Sequence, residues 1–110
     1  MDEMETRRRA KRFPIAASML FRERSASEWR LASTVNLSHL GVLFRADGPL
    51  PAMGHAVDFI VTLPMNGLAQ PPQVHCTGHI VRIAPEELAG GGHAVAITVD
   101  GYTFEDRLPV

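Results

Sequence analysis

The run Ile15-Ala16-Ala17-Ser18-Met19-Leu20-Phe21-Arg22 decides the fold class. Ile15, Ala17, Met19 and Phe21 fall on one side of an extended chain, and Ala16, Ser18, Leu20 and Arg22 fall on the other. A period of two with one apolar side is the pattern of a strand with one face in a core. Comparable runs recur at intervals of roughly ten to fifteen residues, separated by Gly, Pro, Ser and Asn. Residues 28–35 read as a second strand, joined to the first through the polar turn Arg24-Ser25-Ala26-Ser27. Gly41-Val42-Leu43-Phe44-Arg45 reads as a short third strand, ended by Asp47-Gly48-Pro49. In residues 56–63, Val57, Phe59, Val61 and Leu63 share one face of a fourth. Residues 64–72 hold three prolines and one glycine and read as a mobile loop. Residues 73–83 and 93–99 give the fifth and sixth strands, across a connection containing Gly90-Gly91-Gly92.

Six short antiparallel strands leave open edges unless the sheet curls shut. The expected fold is therefore all-β: a small six-stranded antiparallel β-barrel over residues 13–100. A flexible basic N-terminal arm at residues 1–12 precedes it. A C-terminal tail at residues 101–110 follows, with at most one short helical turn, because Thr103 and Asp106 have capping-box-like spacing.

Composition bounds the function. At 110 residues the chain is one domain, and 45% apolar with 21% charged residues is ordinary for a soluble fold. Net charge is −1, but five of the eleven positive charges sit in Arg7-Arg8-Arg9-Ala10-Lys11-Arg12. The remaining chain sets six arginines against twelve acids. An acidic body with a basic arm suits a small anionic ligand better than a nucleic acid polymer. The single Cys76 excludes an internal disulfide, and no apolar run reaches the length of a membrane-spanning helix. Cytoplasmic residence without membrane insertion is the expectation.

Other chemistry finds little support. In His75-Cys76-Thr77-Gly78-His79, a strand would hold the two histidines roughly 13 Å apart and turn Cys76 to the opposite face. Zinc needs its donors about 2 Å from one centre, so no metal site is expected, and Cys76 reads as a small core residue. No nucleophile elbow, zinc-protease helix or phosphate-binding glycine loop is present, so the chain is not expected to be an enzyme. Trp29 reads as a partly buried barrel residue.

A guanidinium cluster on a lead-in segment can hold phosphate oxygens or the edge of guanine. Asn36-Leu37-Ser38-His39-Leu40-Gly41, expected as a turn between two strands, could complete such a site. Its residues also have ordinary roles, since Asn and Ser often cap their own turn and Gly permits close backbone approach. The two pieces occur in order, about two dozen residues apart, with a hairpin between them.

With this pairing the sequence resembles the PilZ domain family, bacterial receptors for the second messenger cyclic di-GMP. Arg8-Arg9-Ala10-Lys11-Arg12 matches the family's Arg-x-x-x-Arg, and Asn36 to Gly41 matches its Asp/Asn-x-Ser-x-x-Gly. Arg12-Phe13-Pro14-Ile15 and Gly78-His79-Ile80-Val81-Arg82 are similar to flanking family text, and the likeness covers roughly residues 7–99.

The resemblance implies a six-stranded split-type barrel that binds cyclic di-GMP on its outer surface, with no other cofactor. It implies that Arg8 and Arg12 clamp phosphate and guanine, that Asn36 and Ser38 bond the guanine edge, and that Gly41 lets the turn approach the ligand. Arg7, just before the first motif arginine, is placed to stack on a purine and favour an intercalated ligand dimer. The signal would pass to an effector protein through a conformational change. The alternative is a degenerate adaptor of the same fold that binds no nucleotide. Two departures stand out: His93-Ala94-Val95-Ala96-Ile97-Thr98 replaces a Gly-Val-Gly-like run, and the C-terminus is short for the family's packing helix.

Overall fold

The computed structural model describes residues 13–64, 71–85 and 92–105. They form seven strands: β1 (Ser18–Glu23), β2 (Arg30–Leu37), β3 (Gly41–Ala46), β4 (Ala56–Thr62), β5 (Gln73–Pro85), β6 (His93–Thr98) and β7 (Gly101–Glu105). No helix occurs among the described residues. All pairings are antiparallel, in the order β4-β1-β2-β3-β6-β5, and β4 pairs with β5 to close the barrel.

The two-residue period works as the sequence suggests. Met19 and Phe21 on β1, Val42 and Phe44 on β3, and Val57, Phe59 and Val61 on β4 point inward and are buried. Ile80, Val95 and Ile97 complete the centre of the core, and Phe21 and Phe44 meet with ring centroids 5.1 Å apart. Burying large apolar side chains is the main favourable term here, at about 1.5–3 kcal/mol each. Cys76 is in this core, where burial pushes its thiol up to about 11. Trp29, just ahead of β2, is partly exposed and stacks under the Arg22 guanidinium at 4.3 Å.

Two expectations are corrected. The second strand runs two residues later than expected, so Asn36 and Leu37 belong to a strand and not to a turn. The helical turn expected from Thr103 onward gives way at residues 101–105 to β7, a seventh strand added to the closed six-stranded barrel that the sequence predicts. The physical reason lies in β5. Its residues 80–85 pair with β6, which leaves its first residues with an unpaired edge on that side. β7 continues the line of β6 and takes up that edge, pairing Gln73 to Thr77 with Glu105 to Gly101. Residues 106–110 lie outside the described residues, as do the arm at 1–12 and the loop residues 65–70 and 86–91.

Gly78 marks the point where β5 passes from β6 to β7. A Cβ there would sit 1.9 Å from the Thr98 carbonyl oxygen, so only glycine lets the two backbones touch.

Candidate functional site

The motif corner is built around one buried hydroxyl. Thr34, 2% exposed, is the single buried polar side chain among the described residues. Its Oγ1 accepts the Ala17 N–H at 2.7 Å and donates to the Ile15 carbonyl at 2.5 Å. One side chain thereby pins the segment before β1 against β2. The same segment is tied again at Phe13, which exchanges two backbone hydrogen bonds with Leu37, at 2.8 and 3.0 Å. Phe13 directly follows Arg12, and Leu37 lies between Asn36 and Ser38. The root of the basic arm is thus fastened to the middle of the second motif.

The β2–β3 register shifts between Thr34 and Asn36, leaving Val35 as a bulge. Thr34, in phase with Ala32 opposite the buried Met19, faces inward opposite Phe44, and the bulge then sets Asn36 opposite Leu43. Directly opposed residues share a face, and Leu43 lies between the inward Val42 and Phe44, so Asn36 is on the outer face. The same outer row continues through Ala96 to Arg82 across β3, β6 and β5. Arg45 lies one step along, opposite Ser33 and Ala94. Three inter-strand steps of about 4.8 Å put Asn36 and Arg82 roughly 14 Å apart, with Leu43 and Ala96 between them.

Ser38 and Gly41 have structural duties. The Ser38 Oγ accepts N–H bonds from Leu40 and Gly41 at 3.2 and 3.1 Å, and the Ser38 N–H donates to the Gly41 carbonyl at 2.9 Å. Gly41 has no positive φ. Its missing side chain is needed because a Cβ would lie 2.8 Å from the Ile97 carbonyl oxygen. Of the candidate residues, Asn36, Ser38 and Gly41 form one corner, whereas Arg7, Arg8 and Arg12 lie outside the described residues.

Sequence reasoning did not find the polar network beside this corner. Thr98 pairs with Gly41, and the Thr98 hydroxyl donates to Asp100 Oδ1 at 2.8 Å. His79 Nδ1 meets Asp100 Oδ2 at 2.9 Å, and the His79 backbone N–H donates to the Thr98 hydroxyl at 3.1 Å. The His79 bond first, then the Thr98 bond, hold the Asp100 carboxyl below its ordinary range. The His79 ring and the Thr98 hydroxyl both address one carboxylate, which builds a brace for the β6–β7 joint. Thr34 was equally hidden, because its partners are backbone atoms distant in sequence.

The fold is similar to that of the Bacillus subtilis inhibitor of motility MotI/DgrA, with a TM-score of 0.70 and 14% identity. That match covers 84% of this chain and 42% of the MotI/DgrA chain, so this chain spans less than half the length of its neighbour. No curated protein matches the sequence. The PilZ domain model matches residues 6–106, so the chain belongs to the PilZ domain family, whose members are generally receptor domains for cyclic di-GMP and not enzymes.

Proposed function

We propose that this chain binds cyclic di-GMP between its arginine arm and the outer face of the corner at residues 36–41. The observation that carries the reading is the Phe13–Leu37 bridge. An antiparallel bridge at these residues runs toward residue 12 in the direction that β2 runs toward Ser38. Arg12 and Arg8 then reach the ligand phosphates and a guanine edge, while the Asn36 amide reads another. Arg7 stacks on a purine face and favours an intercalated ligand pair. Ser38 uses its oxygen as a turn cap and donates its hydroxyl hydrogen to the Gly41 carbonyl at 3.2 Å, a bond it exchanges for the guanine edge when the ligand binds. Arg45 and Arg82 add positive charge along the same outer surface, where the acidic body otherwise disfavours an anion.

Binding orders the arm. Five clustered like charges repel one another until two phosphates neutralise them, and the ordered arm becomes a new surface for an effector protein. The protein works in the cytoplasm, where the messenger is made.

A charge-assisted hydrogen bond contributes about 1.5–3 kcal/mol, so Arg8→Ala or Arg12→Ala weakens binding about 10- to 150-fold. Isothermal titration with cyclic di-GMP reads affinity and stoichiometry together. Unchanged affinity in both variants would remove the arm from the mechanism.

One observation favours the second reading, an adaptor that binds no nucleotide. Ser38 and Gly41 are already employed by the turn and by the β3–β6 contact, so the fold alone accounts for both residues. No heat on titrating the intact protein, and no NMR shift at Asn36, would select the adaptor.

A further inference from the structure

β7 differs from every other strand among the described residues. β5 occupies one of its edges, and among the described residues nothing pairs with the other. Its side chains carry a second oddity. Tyr102 and Phe104 stand opposite Cys76 and Val74, which puts them on the inner face of the sheet. They are nonetheless 57% and 62% exposed, and they pack edge to face on each other at 6.0 Å. They flank an apolar groove of about 250 Å³, walled on its other sides by Leu37, Leu63, Val74 and Val99. Proteins blunt open edges with lysine, proline or a bulge. Gly101-Tyr102-Thr103-Phe104-Glu105 contains neither residue.

We infer that two copies of this chain pair edge to edge through β7, antiparallel, about a two-fold axis at Thr103. The strand maps onto itself in that register. Tyr102 of one copy lies opposite Phe104 of the other, twice, and Gly101 lies opposite Glu105, so no like charges face each other within the strand. An isologous contact requires this kind of self-complementarity. Both open edges gain backbone partners. The four aromatic rings and the two grooves join into one apolar layer, held by cross-strand aromatic pairs. A second copy fits better than an unrelated peptide because one axis satisfies the backbone edge and both rings at once. The inference does not depend on nucleotide binding.

The test uses the intact chain in light scattering and sedimentation without nucleotide. The expected mass is twice 12.0 kDa for the wild type. Phe104→Lys, which places an ammonium in the shared layer, returns it to 12.0 kDa. Thr103→Cys forms a covalent dimer on mild oxidation, because the axis brings the two Cβ atoms within disulfide range. Leu31→Cys, at an exposed position on β2, does not. The buried native Cys76 does not compete. A wild type that stays at 12.0 kDa, a dimer that survives Phe104→Lys, or cross-linking at Leu31 as readily as at Thr103 would each overturn the inference. If Phe104→Lys fails to fold, the pair of cysteine variants decides alone.

Discussion

The corner at residues 36–41 and the β5–β7 flank adjoin the same mouth of the barrel, yet they are finished in opposite ways. The corner is closed from within: Ser38 holds two N–H groups of its own turn, and Phe13 and Thr34 fasten the incoming chain behind it. The flank is open. One edge of β7 has no partner among the described residues, and two aromatic rings stand in solvent beside it. A corner with satisfied backbone groups is stiff and can present Asn36 at a fixed place, which a receptor requires. An edge with unsatisfied groups is a place for another chain. The two regions therefore suit two different kinds of partner, a small molecule and a protein.

Four substitutions break or sharpen this contrast, from the largest expected effect to the smallest. Gly78→Ala strikes the joint between barrel and flank, forcing a methyl against the Thr98 carbonyl. It lowers stability by about 3 kcal/mol or more, read as a fall in the urea midpoint. A near-normal midpoint would mean that the two regions are not locked together there. Thr34→Val keeps the shape but strands the Ala17 N–H and the Ile15 carbonyl, costing about 2 kcal/mol. Amide exchange at Leu37 rises with it, while exchange in β7 stays unchanged. Acceleration at both places would show that the corner and flank open as one unit.

Ser38→Ala removes three turn bonds and costs about 1 kcal/mol, with faster exchange at the Leu40 and Gly41 amides. The smallest effect belongs to Asp100. Its folded carboxyl titrates below the ordinary value of 3.8, so its contribution is present above that pH. The contribution falls away as acid carries the solution through the lower folded value. Acid unfolding curves of Asp100→Asn lack this component, and identical curves for both proteins would exclude a role for the brace.

Much of the barrel was legible because alternation is a local signal. Residues 56–63 announce Val57, Phe59 and Val61 as an inner face, and all three are buried. The end of β2 was harder to read, because the bulge at Val35 breaks the alternation. A polar Thr34 faces inward beside a partly exposed Val35, which reverses the hydropathy rule. β7 was misread for a different reason. Tyr102 and Phe104 do alternate, but a five-residue strand gives a weak period, and the Thr103–Asp106 spacing imitates a helix cap. What decides the matter is an unpaired edge on β5, and no local pattern in residues 101–105 records it. At the motif, the residue types were legible, whereas the cause of Gly41 was not. That cause is the carbonyl of Ile97, 56 positions away.

The barrel closes through the β4–β5 pairing, and β7 takes no part in that closure. The seventh strand is therefore an appendage in the topological sense: removing it opens no seam. A lineage can rewrite this strand while the corner at residues 36–41 stays intact. Changes at this open edge are thereby uncoupled from changes at the motif corner.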